Sequence, residues 1–335
     1  MEKMNNSLEE IWKKLERSKN ILIPLHPKPD GDSLGSSLAV KYILEKILSV
    51  KTTVVSQDEL SENLQEFAFS KEVEFGKKLD EINLEKFDTI LFLDHGTLRG
   101  HPEKIEKKEF PKNTTIINID HHDTNDFYGN LNYVDSKRTS CCSILVDILS
   151  EKGIKADEES SRRLLLGILT DSGFFLNDNT PDSMKKAAFL IDTGKIDYEK
   201  EFYSRIMGNS WKMKKFEGIL IENMEMKNIL GKNVVYTHIS QEDIKKLDLN
   251  QAEIRLGISF LKDIKNTDII ITLSELGDQI KGSLRSVGID TTLYSKEFGG
   301  GGHKEASAFY MKKISLQEAM KKVLSTIERV GINKI

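Results

Sequence analysis

A chain of 335 residues with 38% hydrophobic and 30% charged side chains and only 6 Pro has the makeup of a globular protein, with length for about two domains that each bury a core. A formal net charge of −4 excludes a protein that grips long duplex nucleic acid through a basic surface, although a divalent metal can bring local positive charge to a short phosphorylated ligand. No apolar run nears the ~18 residues that span a bilayer, Met1 to Lys19 reads as a charged amphipathic helix rather than a signal peptide, and the adjacent Cys141 and Cys142 fit neither a disulfide framework nor a zinc site. A cytoplasmic protein with no membrane partner is expected.

Residues 20–26 read as a strand that ends on His26. The following Pro27-Lys28-Pro29-Asp30-Gly31-Asp32-Ser33 is a loop, after which Asp32 or Ser33 caps a helix through Leu34, Leu38, Ile43, Leu44 and Ile47. One imidazole and two carboxylates so close together form a mixed N/O ligand set, suited to manganese or a similar divalent ion and poorly suited to a thiolate zinc site. Lys51 to Ser56 is a short strand, and residues 59–86 mix short helical patterns with loops. Asp88 to Asp94 is a second buried strand that stops on an acid, making Asp94 a third candidate carboxylate. His95 to Gly100 then turns, with Arg99 open to a phosphate or a surface pair. Ile116 to His122 repeats the design and ends on Asp120, His121 and His122, either a site or a polar strand end.

Asp123 to Tyr133 reads as a polar, aromatic loop and Arg138 to Leu149 as a helix in which the cysteines pack rather than react. Glu158 to Leu169 is a helix that delivers Asp171, an acid at the close of a buried segment, where it needs a partner or a metal. Phe174 and Phe175 belong to the core or, as the second reading, wall the site. Pro181 to about Lys227 has a helical pattern and supplies a connector over 195–230. Strands at 233–239, 268–275 and 279–285, with a helix to about Lys265, make a second α/β domain. Its informative stretch is Phe298 to His303, a polyglycine run that lets a phosphate or base approach the backbone, with Arg285 and His303 to supply charged hydrogen bonds.

These stretches together resemble the DHH phosphoesterase family, in its two-domain branch with a C-terminal DHH-associated domain and a GGGH motif. The matching residues are His26 to Ser36, Asp94, Asp120-His121-His122 with Asn125, Thr170 to Gly173, and Gly299 to His303. The resemblance implies an α/β fold with a parallel-sheet DHH domain over 1–194, a helical connector over 195–230 and a smaller substrate-binding domain over 231–335. It also implies two divalent ions, Mn²⁺ before Mg²⁺ or Co²⁺. His26, Asp30 and Asp94 would hold one, and Asp32, Asp94, His121 and Asp171 the other.

By the same resemblance His122 would contact the scissile phosphate and Asp120 would orient its neighbours, while Arg285, Gly300, Gly301, Gly302, His303 and Asn125 would contact substrate. The implied activity is that of the nano-RNases: a phosphodiesterase and oligoribonuclease acting on short oligonucleotides such as pApA, with pAp phosphatase as a second activity. Alternatives are a cyclic di-AMP phosphodiesterase, a RecJ-like single-strand exonuclease and, last, a non-catalytic nucleotide sensor. A homodimer is a further expectation. The sequence departs from the family pattern at His95, Thr97, Cys141, Cys142 and Leu176.

Overall fold

Six short apolar runs in the first part of the chain line up as an all-parallel sheet: β1 (Asn20–Pro24), β2 (Lys51–Ser56), β3 (Val73–Phe75), β4 (Thr89–Leu93), β5 (Thr115–Asp120) and β6 (Leu131–Val134). Their order is β3-β2-β1-β4-β5-β6. The computed structural model describes residues 5–98, 110–261, 263–312 and 314–332. Ile21 to Ile23 and Ile90 to Leu93 are wholly buried, as parallel strands covered on both faces must be.

One face packs on α1 (Leu8–Arg17), α2 (Gly31–Ile43), α4 (Cys141–Glu151) and α5 (Glu158–Asp171); the other meets short 3₁₀ turns through Leu22, Ile90 and Phe92. A one-turn α3 (Glu62–Gln65), α6 (Pro181–Gly194) and a short α7 (Ser204–Ile206) complete this unit, which closes at Gly208. Because the strand order reverses between β1 and β4, a crevice opens at the carboxyl ends of these strands.

Helices α2 and α5 approach unusually closely. A Cβ on Gly35 would lie 2.4 Å from the Arg163 carbonyl oxygen, and one on Gly167 would lie 2.2 Å from Asp32 Oδ1. Only glycine fits at either position, and the contact brings the start of α2 beside the end of α5.

Residues from Asn209 onward form a second unit. It contains α8 (Trp211–Glu222), β7 (Glu225–Ile229), β8 (Lys232–Ile239), α9 (Gln241–Lys246), α10 (Gln251–Leu256), β9 (Ile269–Leu276), β10 (Gln279–Ser286), α11 (Thr292–Lys296), β11 (Gly301–His303), β12 (Ala306–Lys312) and α12 (Leu316–Val330). The sheet order is β11-β12-β10-β9-β8-β7, antiparallel throughout except for the β8–β9 pair. Ile271, Leu273, Ile280, Leu284 and Phe309 pack there with Ala319, Val323 and Ile327 of α12.

Several expectations shift. Helix α2 begins two residues early because Asp30 is its cap, with Oδ1 accepting from the Asp32 and Ser33 N–H groups. The supposed loop to Tyr133 ends in β6, which pairs with β5 in parallel. The stretch 195–230 is not helical throughout, since β7 lies inside it and pairs with β8. The expected helix to Lys265 breaks at Asp248, which is left-handed at φ 51°, and restarts after a second cap at Asn250. The end of the polyglycine run, Gly301 to His303, forms strand β11 against β12. Arg99 lies outside the described residues. Among those described, no helix is long and apolar enough to cross a membrane.

Candidate metal centre

The carboxyl ends of β1, β4 and β5 and the facing ends of α2 and α5 converge on one cluster of acids and imidazoles. His26 follows β1, Asp94 follows β4, and Asp120, His121 and His122 close β5; Asp30 and Asp32 open α2, and Asp171 ends α5. Three sets of donor atoms, each set within 4.8 Å, share members: His26, Asp30 and Asp94; Asp32, His121 and Asp171; and Asp94, Asp120, His121 and His122. Asp94 is the hub. Its carboxylate lies 3.4 Å from His26 Nε2 and 3.3 Å from His121 Nε2, and its backbone is left-handed at φ 55°, a strained conformation that short polar residues tolerate best.

The ring of His26 is oriented by its other nitrogen, since Nδ1 sits 2.9 Å from the Pro27 carbonyl, which can only accept. Nε2 therefore faces Asp30 and Asp94 with its lone pair in the neutral tautomer. Asp32 is wholly buried and takes the backbone N–H of Cys141 at 2.6 Å and of Cys142 at 2.9 Å. The N-terminus of α4 thus offsets part of the cost of placing charge on this buried carboxyl. His121 Nε2 lies 3.1 Å from Asp171.

The electrostatics describe a cluster short of positive charge. Burial disfavours a charged His26, yet Asp30 and Asp94 overcome it and lift the pKa to about 11. His121 is likewise raised to about 11, with Asp171 and Asp94 prevailing over burial. Burial first, and then the charges of Asp94 and Asp171, push Asp32 well above the usual carboxylate range. Asp171 rises to about 6, chiefly through burial. Protons on the imidazoles here stand where a cation would. Asp94 Oδ1 is buried and, among the described residues, has no hydrogen bond of good geometry. With hard N and O donors and a buried carboxylate oxygen left without a hydrogen bond, the residues fit a divalent-metal site.

His122 is set apart. Its Nδ1 hydrogen-bonds Asp120 Oδ1 at 2.8 Å, and this contact, prevailing over burial, raises its pKa. The ring is 46% exposed, and Nε2 remains available to a ligand. Burial pushes Asp120 upward, but His122 and Asn125 hold its carboxyl low.

The sequence over residues 20–170 matches the DHH family, N-terminal domain, and residues 222–330 match the DHHA1 domain. The chain belongs to the DHH family. It is 27% identical over 304 residues to the probable bifunctional oligoribonuclease and PAP phosphatase NrnA of Streptococcus mutans, a match that covers 89% of this chain and 91% of that protein. It is 25% identical over 317 residues to the NrnA of Thermus thermophilus, named a bifunctional oligoribonuclease and PAP phosphatase, with 92% and 89% covered. The crystal structure of an exopolyphosphatase-related protein from Bacteroides fragilis shares the fold, with a TM-score of 0.72, 23% identity and 96% of each chain covered.

This DHH domain brings together His26, Asp30, Asp32, Asp94, His121 and Asp171, with Asp120 and His122 beside them. Asn125 does not stand where a substrate contact was expected. It is wholly buried, and its Nδ2 donates to Asp120 Oδ2 at 2.5 Å and to Asn118 Oδ1 at 2.8 Å. It holds Asp120, and through it His122. Asn118, not singled out in the sequence, completes the support by donating to Tyr128 Oη and the His95 carbonyl. An asparagine inside the apolar run Ile116-Ile117-Asn118-Ile119 was the available signal, because a buried amide demands partners.

Burial raises both cysteine thiols well above their ordinary pKa, so they are not nucleophiles; the backbone beneath them serves Asp32. His95 is buried, Thr97 Oγ1 donates to Asp126, and Leu176 is 80% exposed. In the DHHA1 domain, Gly301, Gly302 and His303 lie exposed on β11, and Arg285 lies half-buried on β10 across β12.

Proposed function

We propose that this chain is a metal-dependent phosphodiesterase that hydrolyses di- to short oligoribonucleotides, such as pApA, to mononucleotides, with pAp 3′-phosphatase as a second activity. The observation that carries the reading is the shared carboxylate of Asp94, set between two imidazole–carboxylate groups at the carboxyl edge of a parallel sheet. His26, Asp30 and Asp94 would hold one divalent ion, and Asp32, Asp94, His121 and Asp171 a second. When bound, such ions supply positive charge against a phosphoryl group and lower the pKa of water. Hard donors favour Mn²⁺ over Zn²⁺, and two buried free thiols suit a reducing cytoplasm.

The chain's own residues do the rest. His122, held by Asp120, which favours its charged form, would offer Nε2–H to a non-bridging oxygen, where negative charge grows as the phosphate is attacked. Asp120 and Asn125 fix that ring before substrate arrives, so no reorganisation is needed at the reacting step. Relatives named for oligoribonuclease and PAP phosphatase activity support the substrate class. In the DHHA1 domain, Arg285, the exposed glycines and His303 are the proposed substrate contacts.

A product-resolved assay with Mn²⁺ on pApA, pAp, cyclic di-AMP and short RNA tests the reading, beside Asp94→Asn. Mononucleotides should appear from pApA and short RNA, and none from the variant. A wild type inert on every substrate, or an active variant, overturns it. Fastest turnover of cyclic di-AMP would select that alternative, and equal rates on strands of about ten nucleotides would select an exonuclease.

A further inference from the structure

His95 and Thr97, two of the departures from the family pattern, lie in the turn that follows Asp94, and that turn is fastened to the loop that follows His122. The Gly96 carbonyl accepts from the Asp126 N–H at 3.0 Å, Thr97 Oγ1 donates to Asp126, and the His95 carbonyl accepts from Tyr128 Oη at 2.9 Å. The Tyr128 ring in turn meets Phe92 edge to face, with centroids 5.5 Å apart.

Asn118 of β5 joins the two segments. Its Nδ2 donates to the His95 carbonyl at 3.2 Å and to Tyr128 Oη at 3.1 Å, with the Phe92 carbonyl 3.5 Å away. Phe92 and His95 flank Asp94 in the chain, so one buried amide reaches the backbone on both sides of the shared carboxylate. Its Oδ1 accepts from Asn125 Nδ2 at 2.8 Å, which also holds Asp120, the partner of His122. The directions are fixed, because backbone carbonyls only accept and the Phe127 N–H already occupies Asn125 Oδ1 at 2.7 Å. Turning either amide over would break bonds at both of its ends.

Strain marks the two segments so joined. Asp94 and Phe127 both have a φ of 55°, an outlier for a side chain as bulky as phenylalanine. Such backbone persists only where its surroundings over-determine it, and the bonds around Asn118 and Asn125 do so on both sides.

We infer that Asn118 and Tyr128 are positioning residues that hold the Asp94 carboxylate and the His122 ring in one fixed relation. The catalytic consequence rests on the function proposed above, whereas the effect on metal binding is read without hydrolysis.

Mn²⁺ titrated into the full chain, followed by the paramagnetic resonance of the free ion, reads the Asp94 end; hydrolysis of pApA at saturating Mn²⁺ reads the His122 end. Tyr128→Phe removes one oxygen and keeps the ring against Phe92. It should weaken Mn²⁺ binding about threefold and lower kcat about tenfold, with KM unchanged. Asn118→Leu severs both arms and should weaken Mn²⁺ binding on the order of tenfold, with a further fall in kcat. Asp157→Ala, at the other end of α5, controls for lost stability and should lower the melting temperature while moving neither readout. Wild-type Mn²⁺ affinity or wild-type kcat in Tyr128→Phe overturns the inference, as does a loss that Asp157→Ala reproduces. If Asn118→Leu does not fold, Tyr128→Phe decides alone. A wild type that binds Mn²⁺ and cleaves nothing defeats the proposed function instead, and the Mn²⁺ affinities then decide the inference.

Discussion

The two six-stranded sheets solve the same problem, presenting polar chemistry from an apolar scaffold, in opposite ways. The parallel sheet puts its functional groups at strand ends, where the chain leaves the sheet and several loops meet. The largely antiparallel sheet puts them on a strand face, between core-facing residues. The first arrangement gathers acids into a deep cluster that calls for cations; the second sets Lys281 and Arg285 side by side with small residues along a half-open strand face. Strand ends allow convergence from distant parts of the sequence, whereas a face allows breadth and approach.

Breaking the acidic end should have the largest effect. Asp94→Asn is expected to lower hydrolysis on the order of 10³-fold or more, with the fold retained because Asn tolerates the φ of 55°. Near-wild-type hydrolysis at saturating Mn²⁺ would contradict this account of the cluster. Gly167→Ala places a methyl group 2.2 Å from Asp32 Oδ1 and 2.4 Å from Cys142 Sγ. It should destabilise the DHH domain by about 1–3 kcal/mol and weaken metal-dependent activity, which denaturant melts and a Mn²⁺ titration of the rate will read.

A gentler probe is Asn125→Ala, which leaves Asp120 Oδ2 short of a donor. We expect a loss of about 1–3 kcal/mol in stability and a fall in kcat with KM little changed. A rise in KM alone would return Asn125 to the substrate surface.

The smallest effect calibrates the others, because Asp157 caps the end of α5 opposite to Asp171. Burial raises its pKa, but the Lys46 ammonium, the Ser160 N–H and the Tyr42 hydroxyl outweigh it and hold the carboxyl below its ordinary range. A folded-state pKa below the unfolded value means the contribution is present above pH ~4 and is lost as pH falls further. Asp157→Ala should therefore cost about 1 kcal/mol at neutral pH and shallow the acid limb of the stability curve, with activity unaffected.

Legibility in the sequence follows the same division. Each buried strand that stopped on His26, Asp94 or Asp120 could be read directly, because an apolar run ending in a polar residue marks a strand end whatever its neighbours are. Asp30 was read as a ligand but not as a cap, a distinction of two hydrogen bonds that spacing does not carry. The misreadings share a cause in long-range pairing: β6 and β7 are short and polar, and their partners define them. Asn125 was misplaced because a motif gives a residue's company and not the direction of its side chain.

The donors of the acidic cluster run from His26 to Asp171, so about half of the chain must leave the ribosome before the last one exists. β1, β4 and β5 can bring His26, Asp94 and Asp120 together earlier, but the Gly35–Arg163 and Gly167–Asp32 contacts that seat α5 cannot form until its residues emerge. A nascent chain therefore carries an unfinished set of repelling acids, and a divalent ion captured at that stage would act as a late structural part of the fold.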